Sequence, residues 1–392
     1  MKMFKSEEGT AMGARKFGQE IRHGCRDLSV VNQNLAGAPL YQTAVSKRNV
    51  PEKLAAQQKR SGRQQCPEES KRLKSSVIHV DEEANTKDHP VPMFLEQSTD
   101  EMGHQEVEMV DIFEDTILDI DGCDAGDPLA AVEYVDDMYA HYKKMECHSC
   151  VPHDYMALQF DINERMRSIL IDWLIEVHHK FQLRDETLFL TVHLVDRFLA
   201  KQVVERKRLQ LVGLIAMLLA CKYEEISVPI VDDLVYISAK AYTTQEVLDM
   251  ERLMLNTLQF NLSFPTPYVF MIRFLKAAQS DQKLEHLSFY LIELCLVEYE
   301  MLRFSPSMLA ASAIYTASCA MYACREWSKT CEWHTTYSEH QLLECSRLVV
   351  GIHEKAGTGR LTGAYRKYST PKYGFTAKCE PARFLLETTG KA

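Results

Sequence analysis

Ile162-Asn163-Glu164-Arg165-Met166-Arg167-Ser168-Ile169-Leu170-Ile171-Asp172-Trp173-Leu174-Ile175-Glu176-Val177 is the stretch on which the fold turns. Met166, Ile169, Leu170, Trp173 and Val177 recur at helical spacing, so one face is apolar. Arg167, Asp172 and Glu176 interrupt the same stretch with charge. The next apolar helix ends Leu194-Val195-Asp196-Arg197-Phe198-Leu199 and carries a second misplaced charge, Asp196. Either Arg167 or Asp196 alone would be expensive to bury. Together they can form a bidentate pair that fixes how two helices dock, or they can be two separate surface charges.

Outward from this stretch, every clear periodic element reads as a helix. Pro128 to Met145 forms a first one, with Asp127 as its cap. Ile162 to Lys180, Asp185 to Ala200, Arg206 to Lys222, Val231 to Ile237 and Thr243 to Leu258 form five more. Pro265 and Pro267 divide these from a second set: Tyr268 to Ala278, Leu284 to Glu300, Pro306 to Ala323, His340 to Ala356, and a weaker one near Glu380 to Leu386. The small-residue runs Leu211 to Ala216 and Leu309 to Ile314 stand at corresponding places in the two halves. Small side chains let helices approach closely, so a tandem duplication is one explanation of the pattern.

The first 90 residues hold 16 Lys or Arg against 11 Asp or Glu, while residues 91 to 130 hold 12 acids and no Lys or Arg. The first stretch is too polar to offset the entropy of ordering and is expected to be disordered, with the acidic stretch a linker. Residues 131 to 392 carry 29 basic and 32 acidic residues, which gives no basic face for nucleic acid. The longest apolar stretch, Leu211 to Cys221, is too short to cross a bilayer, and the first thirty residues have no secretory pattern. The expected location is nucleus and cytoplasm. Lys59-Arg60 and Lys71-Arg72-Leu73-Lys74 can serve nuclear import or be solvated charge.

The twelve cysteines are scattered, several inside apolar helices, and are expected to be reduced. Cys147 and Cys150 have zinc-like spacing but no matching second pair, and His178-His179 diverge by about 100° on a helix, so no metal site is expected. No phosphate loop, zinc-protease motif or nucleophile elbow is present, and a non-catalytic protein without a cofactor is expected.

Met166-Arg167-Ser168-Ile169-Leu170 with Trp173, the Lys222-Tyr223-Glu224-Glu225 cluster closing an apolar helix, and His178-His179-Lys180-Phe181 together resemble the cyclins, and among them the mitotic B type of plants. The resemblance implies an all-α fold of two tandem five-helix cyclin boxes with an extra N-terminal helix, preceded by the disordered tail. It divides the chain at 1–126 (regulatory tail), 127–260 (helix and first box) and 261–392 (second box). It implies a regulatory subunit that binds and activates a cyclin-dependent Ser/Thr kinase at the G2-to-M transition. Lys222, Tyr223, Glu224, Glu225 and Glu251, with Tyr134, Asp137 and Met138 of the preceding helix, fall at kinase-binding positions; His141 stands where the family usually has Tyr. Met166, Ile169, Leu170, Trp173, Glu176 and Gln210 match the patch that recruits Arg-x-Leu substrates or inhibitors. By spacing alone the strip ending in Trp173 can line the bundle core or, since Trp is seldom wholly buried, face outward as a cleft; the resemblance implies the open cleft, with Glu176 for the peptide's arginine. Arg167 and Asp196 match the family's structural pair.

Cys25, Leu28 and Asn32 align with the destruction box read by the anaphase-promoting ubiquitin ligase. Cys25 stands where the pattern has Arg and cannot supply the guanidinium fork. A cyclin-fold transcription-related binding module and a non-activating scaffold are the competing readings; the first is disfavoured by the absence of a basic folded face.

Overall fold

The computed structural model describes residues 117–387, and every regular element among them is helical. The expected destruction box and most of the expected disordered tail lie outside the described residues. Twelve α-helices follow in order: α1 (Val135–Ser149), α2 (Glu164–Phe181), α3 (Asp185–Leu199), α4 (Leu209–Glu224), α5 (Val231–Ile237), α6 (Thr244–Thr257), α7 (Pro267–Ala277), α8 (Gln282–Val297), α9 (Pro306–Tyr322), α10 (Lys329–Thr335), α11 (Glu339–Ala356) and α12 (Gly363–Tyr368). Their starts are written in short polar side chains. Asn163, Thr243, Asp281, Ser305 and Ser328 each accept a backbone N–H from the first turn they precede, filling donors that the helix itself leaves open. Pro267 and Pro306 occupy first-turn positions, where the missing N–H costs nothing.

Helices α2–α6 and α7–α11 form two five-helix repeats. In the first, α4 packs on α3, α2 and α6; in the second, α9 packs on α8, α7 and α11. Both central helices are apolar on nearly all sides, as a helix surrounded by neighbours must be. A Cβ on Gly213 of α4 would lie 2.8 Å from a Leu170 methyl and 3.2 Å from one of Leu174, so a larger residue there would have to displace these leucine ends where α4 meets α2.

Two segments outside the repeats bind them together. Helix α1 precedes the first repeat in sequence, yet its polar contacts run to the second. Tyr139 donates to the Val269 carbonyl (3.0 Å), Arg273 pairs with Asp136, Lys143 donates to Ser307 Oγ and Tyr337, and Glu146 accepts from the Ser307 N–H and hydroxyl. Residues 136, 139, 143 and 146 are one face of a helix. At the other end of the chain, α12 lies against α2 and α8. The Gly363 N–H donates to Asp172 Oδ1 (2.7 Å), Arg366 pairs with Glu176, and Lys367 pairs with Glu293 of α8 at 2.5 Å and Asp185 of α3 at 3.6 Å.

The first helix starts later than the sequence suggests. Asp127 accepts from Leu129 within its own turn, and Ala131 adopts φ 48°, which ends that turn before Val132–Tyr134 leads into α1. Residues 117–124, placed with the tail by composition, dock on the second repeat: Ile120 is buried and Leu118 N–H donates to Thr330 Oγ1. Helices α10 and α12 were not read from the sequence, and the weak C-terminal helix is a single 3-10 turn, Arg383–Leu385.

Candidate functional site

The Arg167–Asp196 reading resolves as a buried pair. Arg167 Nε and Nη2 reach the two Asp196 oxygens at 2.6 and 2.7 Å, and both residues are at most 2% exposed. Tyr155 also donates to Asp196, at 2.8 Å. Arg167 Nη1 donates to the Leu296 and Val297 carbonyls that end α8, so the pair ties the two repeats as well as two helices. Burial opposes the guanidinium's charge, but the Asp196 carboxylate outweighs it and holds the pKa above the ordinary arginine value.

At the end of α4 the charged cluster divides into two roles. Lys222, half exposed, reaches across to Glu251 of α6 at 2.5 Å, where the carboxylate is largely covered. Exposed Tyr223 shares a hydrogen bond with Ser263 at 2.6 Å. Glu225 instead turns inward and accepts from the Arg184 N–H and the Thr187 hydroxyl, both at 2.7 Å, capping α3. Burial and then the neighbouring Glu186 push the Glu224 carboxyl up. Beyond the cluster Ile226 is fully exposed, and Phe260, in a left-handed conformation after α6, is 68% exposed. Neither was singled out from sequence, where both read as ordinary apolar residues at element ends. Tyr134, just before α1, and Asp137, Met138 and His141 on it are exposed, on the side opposite the face seated on the second repeat.

The expected open cleft along α2 is not open. Leu170 and Trp173 are at most 1% exposed, while Met166 and Ile169 are half-buried. Gln210 is 1% exposed, and neither its amide atoms nor the Trp173 indole N–H finds a hydrogen-bond partner. Glu176, expected to await a peptide's arginine, is buried against the chain's own Arg366. The close approach at Gly213 draws Leu170 into the core, and α12 takes the carboxylates of Asp172 and Glu176.

The family model for the cyclin N-terminal domain matches residues 137–263, and that for the cyclin C-terminal domain matches residues 265–382. The chain is 56% identical over 413 residues to G2/mitotic-specific cyclin-1 of Medicago sativa subsp. varia, covering 96% of this chain and 95% of that relative. It is 57% identical over 403 residues to Cyclin-B2-1 of Arabidopsis thaliana, covering 95% and 93%. This chain belongs to the plant B-type cyclins. A viral cyclin from herpesvirus saimiri, 21% identical with a TM-score of 0.50, covers 54% of this chain and 95% of its own, and shares the fold.

Among the described residues no group of three or more His, Cys, Asp or Glu side chains is arranged to hold a metal ion. Cys147 and Cys150 are both exposed near the end of α1. His178 donates through Nε2–H to the Arg184 carbonyl at 2.8 Å, and His179 lies beside the Tyr373 ring, so the two adjacent histidines face different neighbours.

Proposed function

We infer that this cyclin is the regulatory, non-catalytic subunit of a cyclin-dependent Ser/Thr kinase, activates it at the G2-to-M transition, and grips it through the face around Lys222 and Glu251. The observation that carries the interface is the Lys222–Glu251 pair on the surface beside Tyr223, with Ile226 bare of cover. A half-exposed lysine held by a covered carboxylate is oriented without being consumed, and uncovered apolar side chains next to it are what a partner would desolvate. Tyr134, Asp137 and Met138 extend the contact along α1. Binding there would reposition the kinase's catalytic Glu toward its ATP-contacting Lys and help open the activation segment; ATP and magnesium belong to the kinase. Glu225, as the cap of α3, supports this surface rather than touching the partner.

Substrates or inhibitors bearing Arg-x-Leu would dock along α2, where half-buried Met166 and Ile169 offer the apolar surface and where Glu176 would become the acid once Arg366 gives way. Turnover through the anaphase-promoting ubiquitin ligase and residence in nucleus and cytoplasm complete the proposal.

The test is phosphorylation of a histone peptide by a purified mitotic cyclin-dependent kinase with and without the full chain, beside a direct binding titration. Tight binding with a large rise in rate is expected; binding without activation would make the chain a scaffold. Lys222→Ala should weaken binding by about 2 kcal/mol, or some thirty-fold, and an unchanged affinity would remove Lys222 from the interface.

A further inference from the structure

We propose that Asp121 and Asp124 form an acidic clip on Arg273 and Lys276 of α7 that, through the Asp121–Arg273 pair, sets the orientation of α1 for kinase binding. The proposal deepens the interface reading and rests on its assignment of α1 to the kinase contact. Arg273, on α7, is 5% exposed, so its charge needs a close counter-charge. Its Nη1 reaches both Asp121 oxygens, at 2.5 and 2.6 Å. Its Nη2 reaches Asp136, in the first turn of α1, at 3.3 Å. The same guanidinium lies 5.3 Å from the ring centroid of Tyr139, one turn further along α1. One side chain therefore links the segment at 121, the second repeat, and the start of the helix that presents Tyr134, Asp137 and Met138.

The two acids on Arg273 are unequal. The Asp136 side chain is 96% exposed and more distant, whereas that of Asp121 is 16% exposed and held by two cations, since Lys276 also donates to it at 2.9 Å. Asp121 is thus the principal counter-charge, and Asp136 is a weaker, water-screened partner. Lys276 joins Asp124 as well, at 2.6 Å. The segment is shaped to deliver these carboxylates: Asp119 accepts from the Asp121 and Gly122 N–H groups, and buried Ile120 anchors it. With Asp121 neutral, Arg273 is left with Asp136 as its remaining carboxylate, and the balance that fixes the first turn of α1 changes. Asp121, Asp124 and Arg273 are positioning residues in this scheme.

The test uses the full chain carrying the near-isosteric pair Asp121→Asn and Asp124→Asn. Because Asp121 is the main counter-charge of buried Arg273, the Asn pair is expected to lower stability, and the unfolding midpoint checks that the variant stays folded under the binding conditions. Association and dissociation with the purified kinase are then timed. If the clip pre-orients α1, only a fraction of variant molecules is competent at any moment. Apparent affinity should fall about ten-fold, through slower association with dissociation near the parent value. The same pair is also placed on a Tyr134→Ala background. A clip acting through α1 loses much of its effect there, whereas a general loss of stability would cost the same on both backgrounds. Full additivity overturns the proposal. Unchanged binding by the Asn pair, with Lys222→Ala still weakening it, also overturns the clip and leaves the interface standing. No effect of Tyr134→Ala alone would remove α1 from the interface and the clip with it.

Discussion

Arg167 shows what a single residue can disclose and what it withholds. A guanidinium inside an apolar stripe demands a partner, and Asp196 was the matching anomaly on the next helix, so their pairing was legible before any coordinates. Its bonds to Leu296 and Val297 were not, because backbone carbonyls leave no trace in side-chain patterns. Replacing Asp196 with Ala should cost about 3–5 kcal/mol, since it strands a buried charge. Urea unfolding would measure this, and a loss below about 1 kcal/mol would mean that Arg167 is satisfied by the carbonyls and Tyr155. Trp173 is the opposite case. Periodicity marks a stripe but cannot say what covers it, and 1% exposure makes this indole a core residue. Trp173→Ala should therefore lower stability by about 3–5 kcal/mol, read as an earlier unfolding midpoint. A docking defect without destabilisation would restore the open-cleft view.

At the scale of elements, long amphipathic helices were legible and short ones were not. α5 was read correctly at seven residues, but α10 and α12, at seven and six residues, have no stripe long enough to show a period. α12 is defined by its contacts. A Cβ on Gly363 would meet the Asp172 carbonyl oxygen at 2.7 Å, so glycine is needed for the helix to sit on α2 at all. From this seat Arg366 occupies Glu176, the acid that an incoming arginine would require. Arg366→Ala should accordingly tighten binding of an Arg-x-Leu peptide, by about three- to ten-fold if the freed carboxylate pairs with it. Titration against a labelled peptide would check this; unchanged affinity would place the peptide's arginine elsewhere.

The whole molecule carries a pH dependence that no local motif reveals. Burial, reinforced by Lys367, lowers His178 to about 3; burial and then Arg197 lower His193 to about 4; burial lowers His353 to about 4. All three stay neutral in the folded chain and take up protons on unfolding once pH drops below about 6.5, the unfolded value. The unfolded state then binds more protons, so stability is fully present above that pH and drains as pH falls toward the folded values. Near pH 5 three such groups give a slope of about 4 kcal/mol per pH unit. Urea unfolding at pH 7, 6 and 5 would read it, and a flat profile would show that the imidazoles are accessible. The duplicated architecture was half legible at this scale: the small-residue runs Leu211 to Ala216 and Leu309 to Ile314 left tandem duplication as one explanation, and the resemblance to the cyclins supplied the rest. The attachment of α1 to the second repeat was not, since sequence order places it beside the first.

That attachment has a consequence during synthesis. Lys143 leaves the ribosome 164 residues before Ser307, its partner on the second repeat. At about 5–20 residues per second, α1 waits roughly 8–33 s for its seat to be made. The first of the described α-helices is therefore among the last to be fully housed, and a nascent chain cut short before α9 would have a complete first repeat and the α7 part of the berth, Val269 and Arg273, but not the Ser307 and Tyr337 that hold the rest of the helix.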